Sequence, residues 1–133
     1  MERRVSDLMR RGIISCAPDT PIQEVARTMT ENDVSALVVM EGDALTGIIS
    51  RTDLVNARVY EQYWKHWRGL TAGHIMTKDV VTVAADESLE RAGRLLMERH
   101  IHRLVVVEQR DGAPRPIGVL SITDIVRDLS TQD

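Results

Sequence analysis

The chain of 133 residues repeats itself. The segment Gly47–Val55, GIISRTDLV, returns as Gly118–Val126, GVLSITDIV, with its Gly, Ser, Thr and Asp unchanged. The likeness extends upstream at a constant offset, so that Val5–Met40 aligns with Ala72–Val107. Self-similarity of this kind indicates two copies of one structural unit, and it restricts the chain to folds that are built from a duplicated element.

Each copy is predicted to contain a strand, a helix, two strands and a second helix. The first strand is a short apolar run, Ile13–Cys16 or Val80–Val83. The next segment carries apolar residues at helical spacing, and two runs rich in β-branched residues follow it. The second helix is predicted to begin at Thr52 in one copy and at Thr123 in the other.

The start of the first helix carries capping signals in both copies. Asp19 or Thr20 is expected to cap the helix of the first copy, with Pro21 at its first helical position. Asp86 is expected to take the capping role in the second copy.

One copy alone is small for a stable domain. A unit of about 60 residues buries a small fraction of its surface and is marginally stable alone. We therefore predict an α/β (α+β) fold in which two units pack sheet to sheet about a pseudo-twofold axis. The first unit is predicted to cover residues 1–68, including a linker helix, and the second residues 69–133.

Charge and composition argue against several classes of protein. The net charge is −3 and the sequence pI is about 5.8, whereas a broad nucleic-acid surface is normally basic. No apolar run approaches the roughly 18 residues of a membrane helix. Cys16 is the only cysteine, so no internal disulfide can form. We expect a soluble, cytoplasmic protein that binds neither membranes nor nucleic acid.

The repeated Ser-x-Thr-Asp has two possible explanations. Serine, threonine and aspartate at the start of a helix cap it and complement its dipole, which is a purely structural role. Alternatively, a carboxylate at this position suits a neutral diol, because it can accept two hydrogen bonds from vicinal hydroxyls as acidic residues of dinucleotide folds do with ribose. Gly47 and Gly118 lack a Cβ and allow a close approach to the backbone.

The repeated phrases together resemble a tandem pair of cystathionine-β-synthase (CBS) domains, also called a Bateman module. The matching phrases are DLM with HIM, DTPIQEVARTM with DESLERAGRLLM, VSALVVM with IHRLVVV, and GIISRTDLV with GVLSITDIV. The last unit is similar to the final CBS unit of the gamma subunit of AMP-activated protein kinase. The resemblance covers nearly the whole chain.

The resemblance implies two adenosine-nucleotide sites in the cleft between the copies. AMP, ADP or ATP is the expected ligand, NAD and S-adenosylmethionine are alternatives, and no obligatory cofactor is implied. An aspartate would hold the ribose, and apolar residues would flank the base. The first site would comprise Asp124, Thr123, Ser121, Ile14, Val34, Ser35, His102 and Met9. The second would comprise Asp53, Thr52, Ser50, Val81, Ile101, His102 and Met76. The candidate phosphate cations are Arg103, Arg51 and Lys78.

All four aromatic residues fall at helical spacing in one stripe, which is predicted to lie on a helix that runs from Thr52 to Gly69: Tyr60, Tyr63, Trp64 and Trp67. The stripe has two interpretations, internal packing of the linker helix or the interface of a homodimer, because tyrosine and tryptophan are enriched at interfaces. The resemblance favours a homodimer through the helices.

No nucleophile stands beside a base and an acid in the sequence, so we do not expect an enzyme. His100 and His102 lack a third metal ligand nearby, and we expect no metal site. The function predicted is a regulatory sensor that binds an adenosine nucleotide and signals to an unknown partner protein by a change of conformation. The alternative is a structural homo-oligomerisation scaffold without a nucleotide.

Overall fold

The structure is a computed structural model that describes residues 2–63 and 69–131. Over these residues the helices α1 to α6 are Val5–Leu8, Ile22–Asn32, Arg51–Val59, Ala72–Ile75, Leu89–Arg99 and Ile122–Ser130. The strands β1 to β7 are Arg10–Arg11, Ser15–Cys16, Ala36–Glu41, Ala44–Ser50, Thr82–Ala84, Arg103–Arg110 and Ala113–Ser121. A short 3₁₀ turn covers Glu61–Tyr63. None of the helices over the described ranges is long and apolar enough to cross a membrane.

The chain folds into two compact units. The first unit is Ile14–Val80, and the second unit is Met1–Ile13 together with Val81–Asp133. Each unit contains one copy of the predicted strand, helix, strand, strand, helix order, and the mixed α/β fold is confirmed. The predicted division at residues 68 and 69, and the sheet-to-sheet packing about a twofold axis, stay predictions.

The sheet of the first unit has the order β2-β3-β4. Strand β2 is parallel to β3, with helix α2 between them in sequence, and β3 forms an antiparallel hairpin with β4. The residue Ile48 of β4 also forms an antiparallel bridge with Thr77. A buried cluster covers the sheet, formed by Val25, Met29, Val34, Leu37, Val39, Ile49 and Ala72.

The sheet of the second unit repeats this arrangement in the order β1-β7-β6-β5. Strand β5 is parallel to β6, and the β6–β7 hairpin is antiparallel and longer than its counterpart. Strand β1 pairs with β7, where the first unit has the bridge of Thr77. The buried cluster is formed by Val5, Met9, Val83, Ala92, Leu96, Leu104, Val106 and Leu120.

The segment that leads into each repeat belongs to the unit that is built mainly from the other repeat. In the second unit, the N–H of Val5 donates to the carbonyl of Glu87, and the N–H of Leu89 donates to the carbonyl of Arg3. Ile22 and Ala72 repeat these bonds in the first unit, through the carbonyls of Leu70 and Thr20. The repeats of the sequence and the compact units of the structure therefore have different boundaries.

Two capping predictions were wrong. The helix α2 begins at Ile22 and Pro21 stands at its N-cap position, so proline precedes the first helical residue. Thr20 accepts a hydrogen bond from the N–H of Ala17 instead and closes a turn in the loop. In α5 the cap is the Ser88 hydroxyl, which accepts from the N–H of Arg91, and Asp86 lies before it in the loop.

The predicted long helix through the aromatic stripe was also wrong over the described residues. Helix α3 ends at Val59, and Tyr60 leaves the helical conformation with φ −96° and ψ 4° before the 3₁₀ turn. The rings of Tyr60 and Tyr63 are tilted against each other with centroids 6.4 Å apart. Trp64 and Trp67 lie outside the described residues, so their part of the predicted stripe stays a prediction.

Candidate functional site

The Ser-x-Thr-Asp of the first unit forms a reciprocal cap at the start of helix α3. Asp53 Oδ2 accepts hydrogen bonds from the backbone N–H of Ser50 at 2.8 Å and from the Ser50 hydroxyl at 3.1 Å. Ser50 Oγ accepts in turn from the backbone N–H of Asp53 at 3.3 Å. The structural role considered for this motif is therefore present, and it fixes the carboxylate through one of its two oxygens.

The second unit repeats this geometry at the start of helix α6. Asp124 Oδ2 lies 2.8 Å from the Ser121 nitrogen and 3.0 Å from the Ser121 hydroxyl, and Ser121 Oγ lies 3.2 Å from the Asp124 nitrogen. Thr52 and Thr123, the threonines of the two motifs, are exposed. Each motif thus presents a positioned carboxylate beside an exposed hydroxyl.

The glycine of each motif is explained by the chain itself. A Cβ on Gly47 would lie 2.5 Å from Met76 Sδ and 2.9 Å from the carbonyl oxygen of Thr77. A Cβ on Gly118 would collide with the carbonyl oxygen of Arg10. The close approach predicted for these glycines is made by the segments that pair with β4 and β7, because a side chain on either glycine would push the neighbouring backbone away.

A backbone hydrogen bond ties each motif to the loop before the preceding hairpin. The N–H of Arg51 donates to the carbonyl of Ser35, and the N–H of Ile122 donates to the carbonyl of His102, both at 3.0 Å. The residue before each loop carbonyl is apolar, and Val34 is buried. In each unit an acidic motif and an apolar loop are therefore held next to each other.

Ile14 and Val81 occupy matching positions just before β2 and β5. The carbonyl of Ile14 accepts from the N–H of Val38, and that of Val81 accepts from the N–H of Val105, both at 3.1 Å. Both side chains are half-buried against the cluster of their unit. These parallel-strand bonds fix the backbone of the two residues that the resemblance assigns to the base.

The predicted site residues divide between the two units. The first unit brings together Ile14, Val34, Ser35, Ser50, Thr52, Asp53, Met76, Arg51 and Lys78. The second unit brings together Met9, Val81, Ile101, His102, Arg103, Ser121, Thr123 and Asp124. Met9 is buried in the core of the second unit, and Met76 packs on Gly47 in the first.

The three candidate phosphate cations differ in their surroundings. Arg51 forms an exposed ion pair with Asp33, with 3.8 Å between Nη2 and Oδ1. Lys78 is exposed, and Arg103 is half-buried at the start of β6. Exposed arginine and lysine side chains can reorient toward a phosphate at small cost.

Sequence analysis missed Arg127. Its Nη1 lies 3.5 Å from Asp124 Oδ1, the carboxylate oxygen that takes no part in the cap. The i, i+3 spacing of Asp124 and Arg127 on a predicted helix was the signal that could have found it. The matching residue of the first repeat is Asn56.

Neither Cys16 nor the histidines near β6 form a reactive or metal-binding group among the described residues. Burial raises the pKa of the Cys16 thiol to about 11, and the nearby Glu24 carboxylate adds to the rise. A thiol with a raised pKa is a poor nucleophile at neutral pH. His100 ends helix α5 in the left-handed conformation, with φ 54°. The residues that the structure describes contain no group of three side chains that could hold a metal ion.

Comparison with protein families identifies both repeats. The family model described as CBS domain matches residues 5–60 and 72–131. An inosine-5'-monophosphate dehydrogenase of Korarchaeum cryptofilum is 28% identical over 92% of the chain, and an uncharacterized protein of Methanopyrus kandleri is 31% identical over 92%. The chain spans 24% of the length of the first relative and 61% of the second.

Solved structures share the fold. The CBS domain pair of protein MJ0100, determined in complex with 5-methylthioadenosine and S-adenosyl-L-methionine, matches with a TM-score of 0.86 at 22% identity over the full length of both chains. The protein CBSX2, determined in complex with AMP, matches with a TM-score of 0.77 at 29% identity over 96% of each chain.

Proposed function

This chain belongs to the CBS-domain family, and on that premise we propose that it is a regulatory module whose two acidic motifs bind an adenosine-containing ligand. The observation that carries the proposal is the duplicated carboxylate, which is fixed through Oδ2 by the same cap in both units. The complex of CBSX2 with AMP, at 29% identity, supports an adenosine ligand.

The cap prepares the carboxylate for a ribose. With Oδ2 held by the serine of the motif, the direction of Oδ1 is set before a ligand arrives, so less side-chain entropy is lost on binding. Oδ1 can accept a charge-assisted hydrogen bond from a ribose hydroxyl. A negative charge at the first helical turn also disfavours a phosphate at that position, which leaves the position to the sugar.

The apolar loops suit the base. Ile14 and Val34 in the first unit, and Val81 and Ile101 in the second, offer aliphatic side chains to a flat purine beside backbone groups with fixed positions. Arg51, Lys78, Arg103 and His102 are the proposed contacts of the phosphates. The predicted position of the ligands in a cleft between the repeats stays a prediction.

The proposal is tested by isothermal titration with AMP, ATP, NAD and S-adenosylmethionine, each added to the same chain. We expect heat of binding from at least one ligand. Asp53→Asn and Asp124→Asn should each weaken binding at the substituted motif by at least about tenfold, because the amide lacks the charge, so each variant should lose one binding event and the double variant both. Asp7→Asn is the matched control, since Asp7 accepts from the N–H of Arg4 in the cap of α1 but is not part of either motif. Absence of binding by all four ligands would contradict the proposal, and so would an equal loss in the control.

Ligand binding regulates only if it favours one conformation over another. We propose that the output of this module is a change in the affinity of a partner protein, without turnover of the nucleotide. Incubation of AMP or ATP with the chain, followed by analysis of the nucleotides, should recover the ligand unchanged. The activity of the dehydrogenase relatives is not part of the proposal, because the chain covers only 24% of the first of them.

A structural homo-oligomerisation scaffold is the second candidate function. It is favoured by the exposed apolar side chains of α3 and the turn after it, where Val55, Val59 and Tyr63 are 63%, 61% and 74% exposed. Association through this surface would bury them. Sedimentation of the chain at several concentrations should give a dimer that Val59→Lys dissociates, whereas a monomer at all concentrations would exclude the scaffold.

A further inference from the structure

We propose that Arg127 makes the two acidic motifs unequal, so that a ribose occupies the Asp53 motif before the Asp124 motif. This inference rests on the function proposed above. The two motifs have the same Ser-x-Thr-Asp sequence, and the residue three positions after the aspartate is the difference proposed to set the order in which they bind a ligand.

Both oxygens of the Asp124 carboxylate already have partners. Oδ2 accepts from the N–H and the hydroxyl of Ser121, at 2.8 Å and 3.0 Å. Oδ1 lies 3.5 Å from Arg127 Nη1. The Asp124 side chain is 16% exposed and that of Arg127 is 69% exposed, so the ion pair joins a largely buried carboxylate to a guanidinium at the surface. A ribose hydroxyl that donates to Oδ1 therefore competes with the guanidinium for this oxygen.

The first repeat lacks this competitor. Its aspartate has the same cap at Oδ2, but Asn56 stands where the second repeat has Arg127. Over residues 2–63 and 69–131, Asp53 forms no ion pair. Asparagine carries no charge, so a hydroxyl that donates to Oδ1 of Asp53 does not compete with an ion pair at this position.

The size of the effect follows from the exposure of the pair. An ion pair between neighbouring turns of a helix with a solvent-exposed arginine contributes a fraction of a kcal/mol to about 1 kcal/mol, which corresponds to roughly twofold to fivefold in affinity. The effect should shrink at high ionic strength, because salt screens exposed charges.

The neutral nucleoside adenosine isolates the competition. Arg127 could also attract the phosphate of a nucleotide, and with AMP this attraction would oppose the competition at Oδ1. Adenosine has the diol but no charge, so it measures the competition alone. The matched probe 2′,3′-dideoxyadenosine lacks the diol, and its binding should not respond to a change at Arg127.

The experiment uses two proteins that each keep one motif. Asp53→Asn leaves the Asp124 motif, and Asp124→Asn leaves the Asp53 motif. By isothermal titration, adenosine should bind about twofold to fivefold more tightly to the protein with the Asp53 motif. Adding Arg127→Asn to the protein with the Asp124 motif should raise its affinity by the same factor, and adding Asn56→Arg to the other protein should lower it.

A salt series checks the result without a further substitution. Between about 0.05 M and about 1 M NaCl, adenosine affinity of the Asp124 motif should rise toward that of its Arg127→Asn variant. Equal affinities of the two motifs, or weaker adenosine binding after Arg127→Asn, would overturn the inference and leave the proposed function intact. If neither single-motif protein binds adenosine while the unaltered chain binds AMP, ATP, NAD or S-adenosylmethionine, the inference is wrong and the proposed function stands; if the unaltered chain binds none of the four, both are wrong.

Discussion

Ser121 and Asp124 each supply the other's hydrogen-bond partner: Ser121 Oγ accepts from the backbone N–H of Asp124, and Asp124 Oδ2 accepts from the backbone N–H of Ser121. Two donors at the start of α6 that no helical carbonyl can reach are satisfied in this way. The residue that is proposed to bind the ribose therefore also stabilises the fold. Substitutions in the motif have to be judged by stability as well as by binding.

The serine of the cap should contribute measurably to stability. Ser121→Ala removes the acceptor for the Asp124 N–H and one donor to its carboxylate, and we expect the free energy of unfolding to fall by about 1 kcal/mol. Ser121→Thr keeps the hydroxyl and should lose less. Urea denaturation followed by circular dichroism measures both, and an alanine variant as stable as the original chain would show that the cap contributes nothing.

Alanine at the motif glycine should destabilise strongly. The new Cβ of Gly118→Ala would meet the carbonyl oxygen of Arg10, a backbone atom that cannot rotate away, so we expect a loss of about 2 kcal/mol or more. The control is Gly93→Ala in α5, where no atom lies within 4 Å of the added Cβ. That variant should gain about 0.5–1 kcal/mol, because alanine favours the helix. Thermal melts that move in the same direction for both variants would contradict this account.

The caps of the two short helices differ in their acceptor. The N–H of Thr71 donates to His74 Nδ1 at 2.9 Å, where the other unit uses Asp7 for the N–H of Arg4. His74→Asp places a carboxylate at the start of α4 and should stabilise the chain by about 0.5 kcal/mol at neutral pH. The reverse change, Asp7→His, should destabilise. Chemical denaturation of both variants checks the two signs, and a loss of stability in His74→Asp would refute the prediction.

The Cys16 thiol should react slowly in the folded chain. Its pKa is raised from 9.0 to about 11, mainly by burial and also by Glu24, so little thiolate exists at neutral pH. Alkylation by iodoacetamide should be slower in the folded than in the urea-unfolded protein, and Glu24→Gln should accelerate it.

The same shift sets the sign of a pH dependence. Because the folded state favours the neutral thiol, its contribution to stability is complete below about pH 9 and is lost as the pH rises toward 11. Cys16→Ala should remove this part of the alkaline loss of stability. Identical alkaline denaturation profiles for the variant and the original chain would show that the pKa of the thiol is not raised by folding.

Much of each unit could be predicted from local patterns. The duplicated phrases correctly predicted the order of strands and helices, because apolar spacing depends only on which face of an element is buried. The acidic motif was correctly predicted to lie at the start of a helix. The predicted first residue, Thr52, is one position too late, since helix α3 begins at Arg51. Helix caps were less predictable: Asp86 and Ser88 are both good capping residues, and only the backbone conformation selects between them.

What the sequence determined by itself is therefore the repeated element order and the position of the two carboxylates within it. The tertiary structure decided which repeat each leading segment joins and why Gly47 and Gly118 must lack a side chain. It also decided that Arg127 pairs with Asp124, whereas Asp53 forms no ion pair within residues 2–63 and 69–131. The physical reason is that both repeats present the same glycine-bearing strand to a bridging segment. The local sequence does not specify which leading segment pairs with which of these strands, and the packing and hydrogen bonds of the folded chain decide it.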